Sequence, residues 1–252
     1  MRVVQRVNTL LHIRRPLTRP RVGAVVLAGG FGARMGMETT KQLLLLREKP
    51  LFIHTLLAFD ACRQVDEVVL VARKEEIDTV CVLLDRYGIK KCTTVVEGGE
   101  TRQQSAANGF SAVCPKMEYV AFHDAARCLV TPQEIRDVIA AARAYGAATA
   151  AVRATDTVKV ANKYGYIEKT VPREDVWLAS TPQVMKKEYY AAALQYAQKR
   201  GAQVTDDNSL MELIGQRVKL VETSRDNMKI THQEDLERAE VILARREGRN
   251  GK

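Results

Sequence analysis

No run of about 18 apolar residues occurs anywhere in the 252-residue chain, so no transmembrane helix is expected. Nor does an apolar stretch with a small-residue cleavage site follow the basic start, which argues against a secretory signal. The five cysteines (Cys62, Cys81, Cys92, Cys114 and Cys128) are odd in number and include no C-x-x-C pair. That excludes a disulfide framework or a zinc site and suits free thiols in a reducing cytoplasm. Thirteen Phe and Tyr residues carry no stacking motif, which speaks against a surface for single-stranded nucleic acid. Internal repeats, low-complexity stretches and Pro/Gly linkers are also missing, so a single domain is expected.

The formal charge of +9 is concentrated at the ends. Residues 1–21 hold six arginines and no acid. Residues 245–252 hold four bases against Glu247. Removing both ends leaves 29 bases against 29 acids between residues 22 and 244. A neutral body with basic tails points away from nucleic acid, because the surplus charge belongs to solvated ends rather than to a folded face. Residues 1–21 are accordingly expected to be a disordered extension and residues 246–252 a basic tail. Pro16 and Pro20 interrupt any amphipathic helix in the extension, and its lack of serine argues against a transit peptide.

From residue 23 to about 151, apolar runs alternate with longer segments of helical period, the pattern of an α/β protein with a mostly parallel sheet. Strands are expected at 23–28, 67–72, 93–97, 119–122 and 148–152. Helices are expected near 51–61, 75–86, 102–113 and 132–145. Thr101 with Gln104, and Thr131-Pro132 with Glu134, form capping-box starts for the last two. Between about 155 and 185 the pattern changes to alternating residues around Asn162-Lys163-Tyr164-Gly165, which predicts a β-hairpin arm. Helices near 187–199 and after Thr205-Asp206, a strand near 217–222 and a helix capped by Thr231 and Glu234 complete the chain.

Four glycines fall within positions 29–36, directly after the first strand. Such a loop lets backbone N–H groups approach a phosphate closely. It is neither a Walker A loop, which needs Gly-Lys-Ser/Thr, nor a dinucleotide fingerprint, since Met35 stands where the third glycine belongs. Arg34 within the loop and Lys41 seven residues on supply two cations able to wrap a triphosphate. A second constellation, His123-Asp124-Ala125-Ala126-Arg127, follows a buried strand, where open α/β sheets bind ligands. Asp124 there suits Mg²⁺ or another divalent cation that takes its other ligands from substrate phosphates. His123 is expected to pack or hydrogen-bond locally.

Further blocks follow in order: Glu97-Gly98-Gly99-Glu100-Thr101-Arg102-Gln103-Gln104-Ser105, Asp156-Thr157-Val158-Lys159, Thr181-Pro182-Gln183, Thr205-Asp206-Asp207 and Asp226-Asn227-Met228-Lys229. Together with the glycine loop and the Asp124 block, they make residues 22–243 resemble the 2-C-methyl-D-erythritol 4-phosphate cytidylyltransferase family. The resemblance implies a Rossmann-like nucleotidyltransferase fold of the glycosyltransferase-A type, with an extended β-arm at about 155–171 that serves dimerisation. The domain is expected to span residues 22–245. The resemblance also implies that CTP meets Ala28, Gly29, Gly30, Gly99, Glu100 and Ser105. Asp124 would bind the metal, and Arg34 and Lys41 would stabilise the transferring α-phosphate. Arg127, Thr157, Arg173, Thr181, Thr205 and Lys229 would surround the acceptor, with Thr157 and Arg173 supplied by the other subunit of a homodimer. Arg173 and Lys229 also count among the catalytic cations. Cys128, where relatives usually have proline, and Ala33, where a second arginine is frequent, are departures that remove no proposed catalytic charge. A related cytidylyltransferase acting on ribitol 5-phosphate, and a nucleotide-binding module without catalysis, are the alternative readings.

Overall fold

The computed structural model describes residues 1–6, 19–29 and 41–250, with Lys41, Arg249 and Asn250 described in their backbone only. The chain begins with strand β1 (Val3–Gln5) and continues through β2 (Val22–Leu27), a two-residue pair β3 (Leu45–Leu46) and β4 (Lys49–Pro50), and helix α1 (Leu51–Ala61). Next come β5 (Glu67–Ala72), α2 (Ile77–Arg86), β6 (Cys92–Glu97), α3 (Arg102–Ala112), β7 (Tyr119–Asp124), α4 (Pro132–Tyr145) and β8 (Ala147–Arg153). The hairpin β9 (Val158–Ala161) and β10 (Ile167–Val171) follows, then β11 (Trp177–Lys186), α5 (Lys187–Arg200), α6 (Asp207–Leu213), β12 (Lys219–Glu222) and α7 (Gln233–Asn250).

Eight strands form one sheet in the order β1-β6-β5-β2-β7-β11-β8-β12. Strands β2 and β5 are buried along their whole length, as runs that are apolar but for Glu67 should be between helical layers. Both capping boxes form: Thr101 and Thr131 accept the backbone N–H groups of Gln104 and Glu134, whose side chains reach back to the cap. The Asn162 side chain accepts the N–H groups of Tyr164 and Tyr166, and Gly165 takes a positive φ of 86°, closing the hairpin where its turn residues predict.

Four expectations need correction. Most neighbouring strands of the sheet pair parallel, as expected, but β11 runs antiparallel to both β7 and β8 at its centre. Sequence pattern assigns residues 177–185 to the arm because Pro182 and the polar Ser180, Thr181 and Gln183 do not read as a central strand. Here the register shifts between Ala179 and Gln183 opposite β8, which accommodates the proline, and the buried Thr181 and Gln183 side chains find partners in other elements.

The extension is not disordered at its start. Val3–Gln5 pair antiparallel with β6. Arg2 and Arg6 form ion pairs with Asp78 and Asp85, and Arg19 with Asp66 at 2.9 Å. Residues 7–18 lie outside the described residues. The basic tail is helical as far as Asn250, with Arg246 donating to the Leu129 carbonyl at 2.7 Å. Finally, Asp235 rather than Glu234 receives the N–H groups of Thr231 and His232 at the start of α7.

Candidate active site

The strand register brings the functional segments to one edge. Leu27 of β2 stands opposite both Val71 of β5 and Asp124 of β7, and Ala72 stands opposite Glu97 of β6. Ala28-Gly29, Gly98-Gly99 and Asp124 therefore emerge together at the carboxyl ends of parallel strands, where open sheets bind ligands. Ala28 donates its N–H to the Val71 carbonyl at 2.7 Å, carrying the strand geometry into the glycine loop. Gly30 and Arg34 fall outside the described residues. Lys41 opens a short 3₁₀ turn (Lys41–Leu43), and its side chain is likewise outside them.

The loop after β6 is built by α3. The Gly99 N–H donates to Ser105 Oγ at 3.0 Å, and a Cβ at Gly99 would lie 2.4 Å from the Gln104 Cβ. Only glycine fits there, because α3 fills the space a side chain would take. Glu100 itself is exposed.

Asp124 is the centre of the charges. Lys229 Nζ lies 2.8 Å from its carboxylate, Arg102 Nε 3.6 Å and Arg127 Nε 4.0 Å. Burial works to raise this carboxyl, and the three cations overcome it and bring it down to about 2. Asp124 is thus ionised at every working pH. The second branch of Arg102 meets the buried Asp207 at 2.8 Å. Burial pushes the Asp207 carboxyl up against the pull of Arg102. Gln183 accepts the Asp207 N–H and donates to Asp206, both at 2.9 Å, fastening the 205–207 segment to β11.

A hydrogen-bonded chain supports Asp124 from beneath. Its N–H donates to Thr181 Oγ1 at 3.1 Å, which lies 3.0 Å from His123 Nδ1, while His123 Nε2 meets the Arg127 carbonyl at 3.3 Å. A carbonyl only accepts, so Nε2 carries the proton and Nδ1 accepts from threonine. His123 is therefore the locally bonded residue its position suggests. Burial lowers it to about 4. An unfolded histidine takes up its proton near pH 6.5 and the folded one does not, so stability falls as pH drops from about 6.5 to about 4, by roughly 3 kcal/mol in all. Denaturant midpoints measured across this range should fall for the wild type and flatten in His123→Gln.

Arg127 donates to the Asn227 carbonyl at 3.0 Å, and its buried Nε has no hydrogen-bond partner. Asn227 in turn donates to the Thr181 carbonyl at 2.8 Å. Asp124, Arg127, Thr181 and Lys229 are thereby brought together, and Gly99, Glu100 and Ser105 form one loop. Thr205 is exposed beside a cleft of about 590 Å³ that Asp206, Ser209 and Leu220 also line. Thr157 and Arg173 stay with the arm, where the Arg173 guanidinium bonds the Thr155 carbonyl at 3.3 Å. Arg102, Asp207, Gln183 and Asn227 escaped the sequence reading as site residues. Their only signal was membership of the quoted blocks, since the contacts that give them work cross the fold.

Glycine-lined strand ends, one ionised carboxylate and a ring of cations define a Rossmann-like nucleotidyltransferase. The chain belongs to the 2-C-methyl-D-erythritol 4-phosphate cytidylyltransferase family (IspD), which it matches over residues 22–245. It is 44% identical over 230 residues to 2-C-methyl-D-erythritol 4-phosphate cytidylyltransferase of Pelotomaculum thermopropionicum, covering 91% of this chain and 97% of that protein. The same-named protein of Desulforamulus reducens is 42% identical, with 88% and 96% covered. Among solved structures, 4-diphosphocytidyl-2C-methyl-D-erythritol synthase of Anaerococcus prevotii superposes with a TM-score of 0.80 at 29% identity, covering 89% of this chain and 99% of that one. The Thermus thermophilus cytidylyltransferase gives 0.70 at 30%, covering 88% and 98%.

Proposed function

We infer that the chain transfers a cytidylyl group from CTP to the phosphate of 2-C-methyl-D-erythritol 4-phosphate. The products are 4-diphosphocytidyl-2-C-methyl-D-erythritol and pyrophosphate, in isoprenoid precursor synthesis. The observation that carries this reading is the position of Asp124 and its three cations, between the Gly99–Ser105 loop on one side and the 205–207 segment on the other.

An acceptor phosphate oxygen attacks the α-phosphorus of CTP in line, forming one P–O bond as the bond to pyrophosphate breaks. The phosphomonoester is already anionic, so no side-chain nucleophile is required, and the protein's work is positioning and charge stabilisation. Ala28, Gly29, Gly99, Glu100 and Ser105 surround the cytosine and ribose, and Gly30 also belongs to the CTP-binding residues. Arg34 and Lys41 meet the transferring and departing phosphates. Arg127, whose Nε makes no hydrogen bond, and Lys229, which is half exposed and able to turn from Asp124, receive the acceptor phosphate. Thr181 and Thr205 stand along its polyol.

Asp124 fits a magnesium ion. No cluster of three or more His, Cys, Asp or Glu suited to a metal occurs among the described residues, and one ionised carboxylate suits an ion that takes its remaining ligands from phosphates and water. Bound there, magnesium would neutralise charge on the triphosphate; Lys229 holds that carboxylate otherwise.

Arm exchange in a homodimer belongs to the same reading. Tyr164, Tyr166 and Ile167 on the hairpin and Leu178 beside it are each more than half exposed. A bare two-stranded ribbon is marginal in water, so a second copy covering it, and receiving Thr157 and Arg173 into its own site, accounts for those faces. Both substrates are water-soluble, and no helix among the described residues is long and apolar enough to cross a membrane, in keeping with a cytoplasmic enzyme.

Pyrophosphate release from CTP and Mg²⁺ tests the reading. Release is expected with methylerythritol phosphate and not with ribitol 5-phosphate, and Lys41→Ala is expected to lose at least ~10²-fold in kcat, the scale of one lost transition-state donor. Release with ribitol phosphate alone would move the activity to another acceptor. Release with neither would refute catalysis.

A further inference from the structure

We propose that the amino-terminal strand β1 is a positioning strap for the nucleotide-base loop, acting through Glu97. Glu97 is the last residue of β6, and Gly98-Gly99 follow it directly. Two of its polar groups are held by Arg2: the Glu97 N–H donates to the Arg2 carbonyl at 2.9 Å, and the Glu97 carboxylate accepts the Arg2 N–H at 2.8 Å. Its carbonyl accepts from the Asn108 side chain at 3.1 Å, and the Gly98 N–H donates to the Ala72 carbonyl at 2.9 Å. Two of the four bonds at the stem of the loop therefore come from Arg2, at the head of β1, which precedes the region shared with the family.

The strap is clipped at both ends. Arg2 pairs with Asp78 at 3.1 Å through Nη1, and Arg6 pairs with Asp85 and also donates to the Cys92 carbonyl at 2.8 Å. On a strand, residues 2 and 6 point to one side and stand about 13 Å apart. Residues 78 and 85 on α2 lie two turns and about 10.5 Å apart, a span the long arginine side chains match. Without β1, the outer edge of β6 would expose unpaired backbone groups up to the loop itself. Gly99, which has no side chain to anchor it, would then rest on Ser105 and the α3 cap alone.

This inference rests on the assignment of Gly99 and Ser105 to the nucleotide, and the experiment separates the two. Arg6 donates to Thr93 and Glu97 to Arg2, so by ladder alternation the Val4 N–H faces Val95. Val4→Pro removes that donor, and the double variant Arg2→Ala/Arg6→Ala removes the clips. Each full-length variant, checked for an unchanged circular dichroism spectrum, is expected to raise KM for CTP at least about five-fold. kcat and the acceptor KM should stay within two-fold of wild type. Hydrogen exchange at residues 97–101 should accelerate, and Arg2→Lys/Arg6→Lys should recover most of the CTP affinity. Ser105→Ala reports on the loop in the same assay. If it raises KM for CTP while the strap variants do not, the strap proposal is overturned and the loop assignment stands. Should Ser105→Ala leave KM for CTP unchanged, the loop assignment falls and the proposal with it. Equal losses toward both substrates would also overturn it, since they would mark general destabilisation.

Discussion

Asp124→Asn is expected to lower kcat by about 10³-fold or more, with little rescue at any pH. Losing one preorganised transition-state donor costs on the order of 10²–10³, and this substitution disturbs more than one. Arg102, Arg127 and Lys229 all lie within 4.0 Å of the Asp124 carboxylate. An amide leaves three cations without their common counter-charge, and a magnesium ion bound as proposed would lose its charged ligand. Raising the pH restores nothing, because the amide cannot ionise, whereas the native carboxyl, held at about 2, is already charged throughout. Steady-state pyrophosphate release for Asp124→Asn beside Asp124→Glu checks this. The glutamate keeps the charge at a displaced position and should retain more activity. An asparagine variant with more than a tenth of wild-type kcat would remove Asp124 from the chemistry.

The second large effect is on stability. Arg102→Ala strands the Asp207 carboxylate, which is only 2% exposed and otherwise meets the Tyr190 hydroxyl at 3.3 Å. Removing one partner of a buried pair costs about 3–5 kcal/mol. At 2–4 °C per kcal/mol for a chain of this size, the melting temperature should fall by roughly 10 °C. The sign of the pH dependence follows from burial. Asp207 already has a raised carboxyl, and without Arg102 it rises further. The folded variant then binds a proton that the unfolded chain does not, and its deficit shrinks as pH falls. Thermal melts at pH 8 and pH 5.5 should show the gap to wild type narrowing, and Arg102→Leu/Asp207→Asn should recover much of the loss. An unchanged melting temperature for Arg102→Ala would mean that the pair contributes nothing net. Activity should fall as well, because Arg102 also braces Asp124 and sits one residue after the cap of α3.

Arg102 and Asp207 show where reading residues in order stops. They are 105 positions apart, and nothing in either neighbourhood says that one guanidinium will span Asp207 and Asp124. Similar reasoning covers β11. Its Gln183 looks like a loop residue until Asp206 and the Asp207 N–H supply its partners. The basic start of the chain misled in the same way: six arginines without an acid nearby read as a solvated tail, because Asp78, Asp85 and Asp66 arrive only when the chain folds back.

Sequence by itself determined what depends on neighbours along the chain. The buried strands β2 and β5 are runs that are apolar but for Glu67, the caps of α3 and α4 are fixed by residues three apart, and the hairpin turn follows from asparagine and glycine within four positions. The placing of the His123–Arg127 block at a strand end was legible for the same reason, since strand ends are local. Tertiary structure alone decided the antiparallel insertion of β11, the attachment of β1 and the charge network of Asp124. Each depends on burying polar groups or like charges, which is unfavourable for any segment alone and becomes favourable only when distant partners complete their hydrogen bonds and ion pairs.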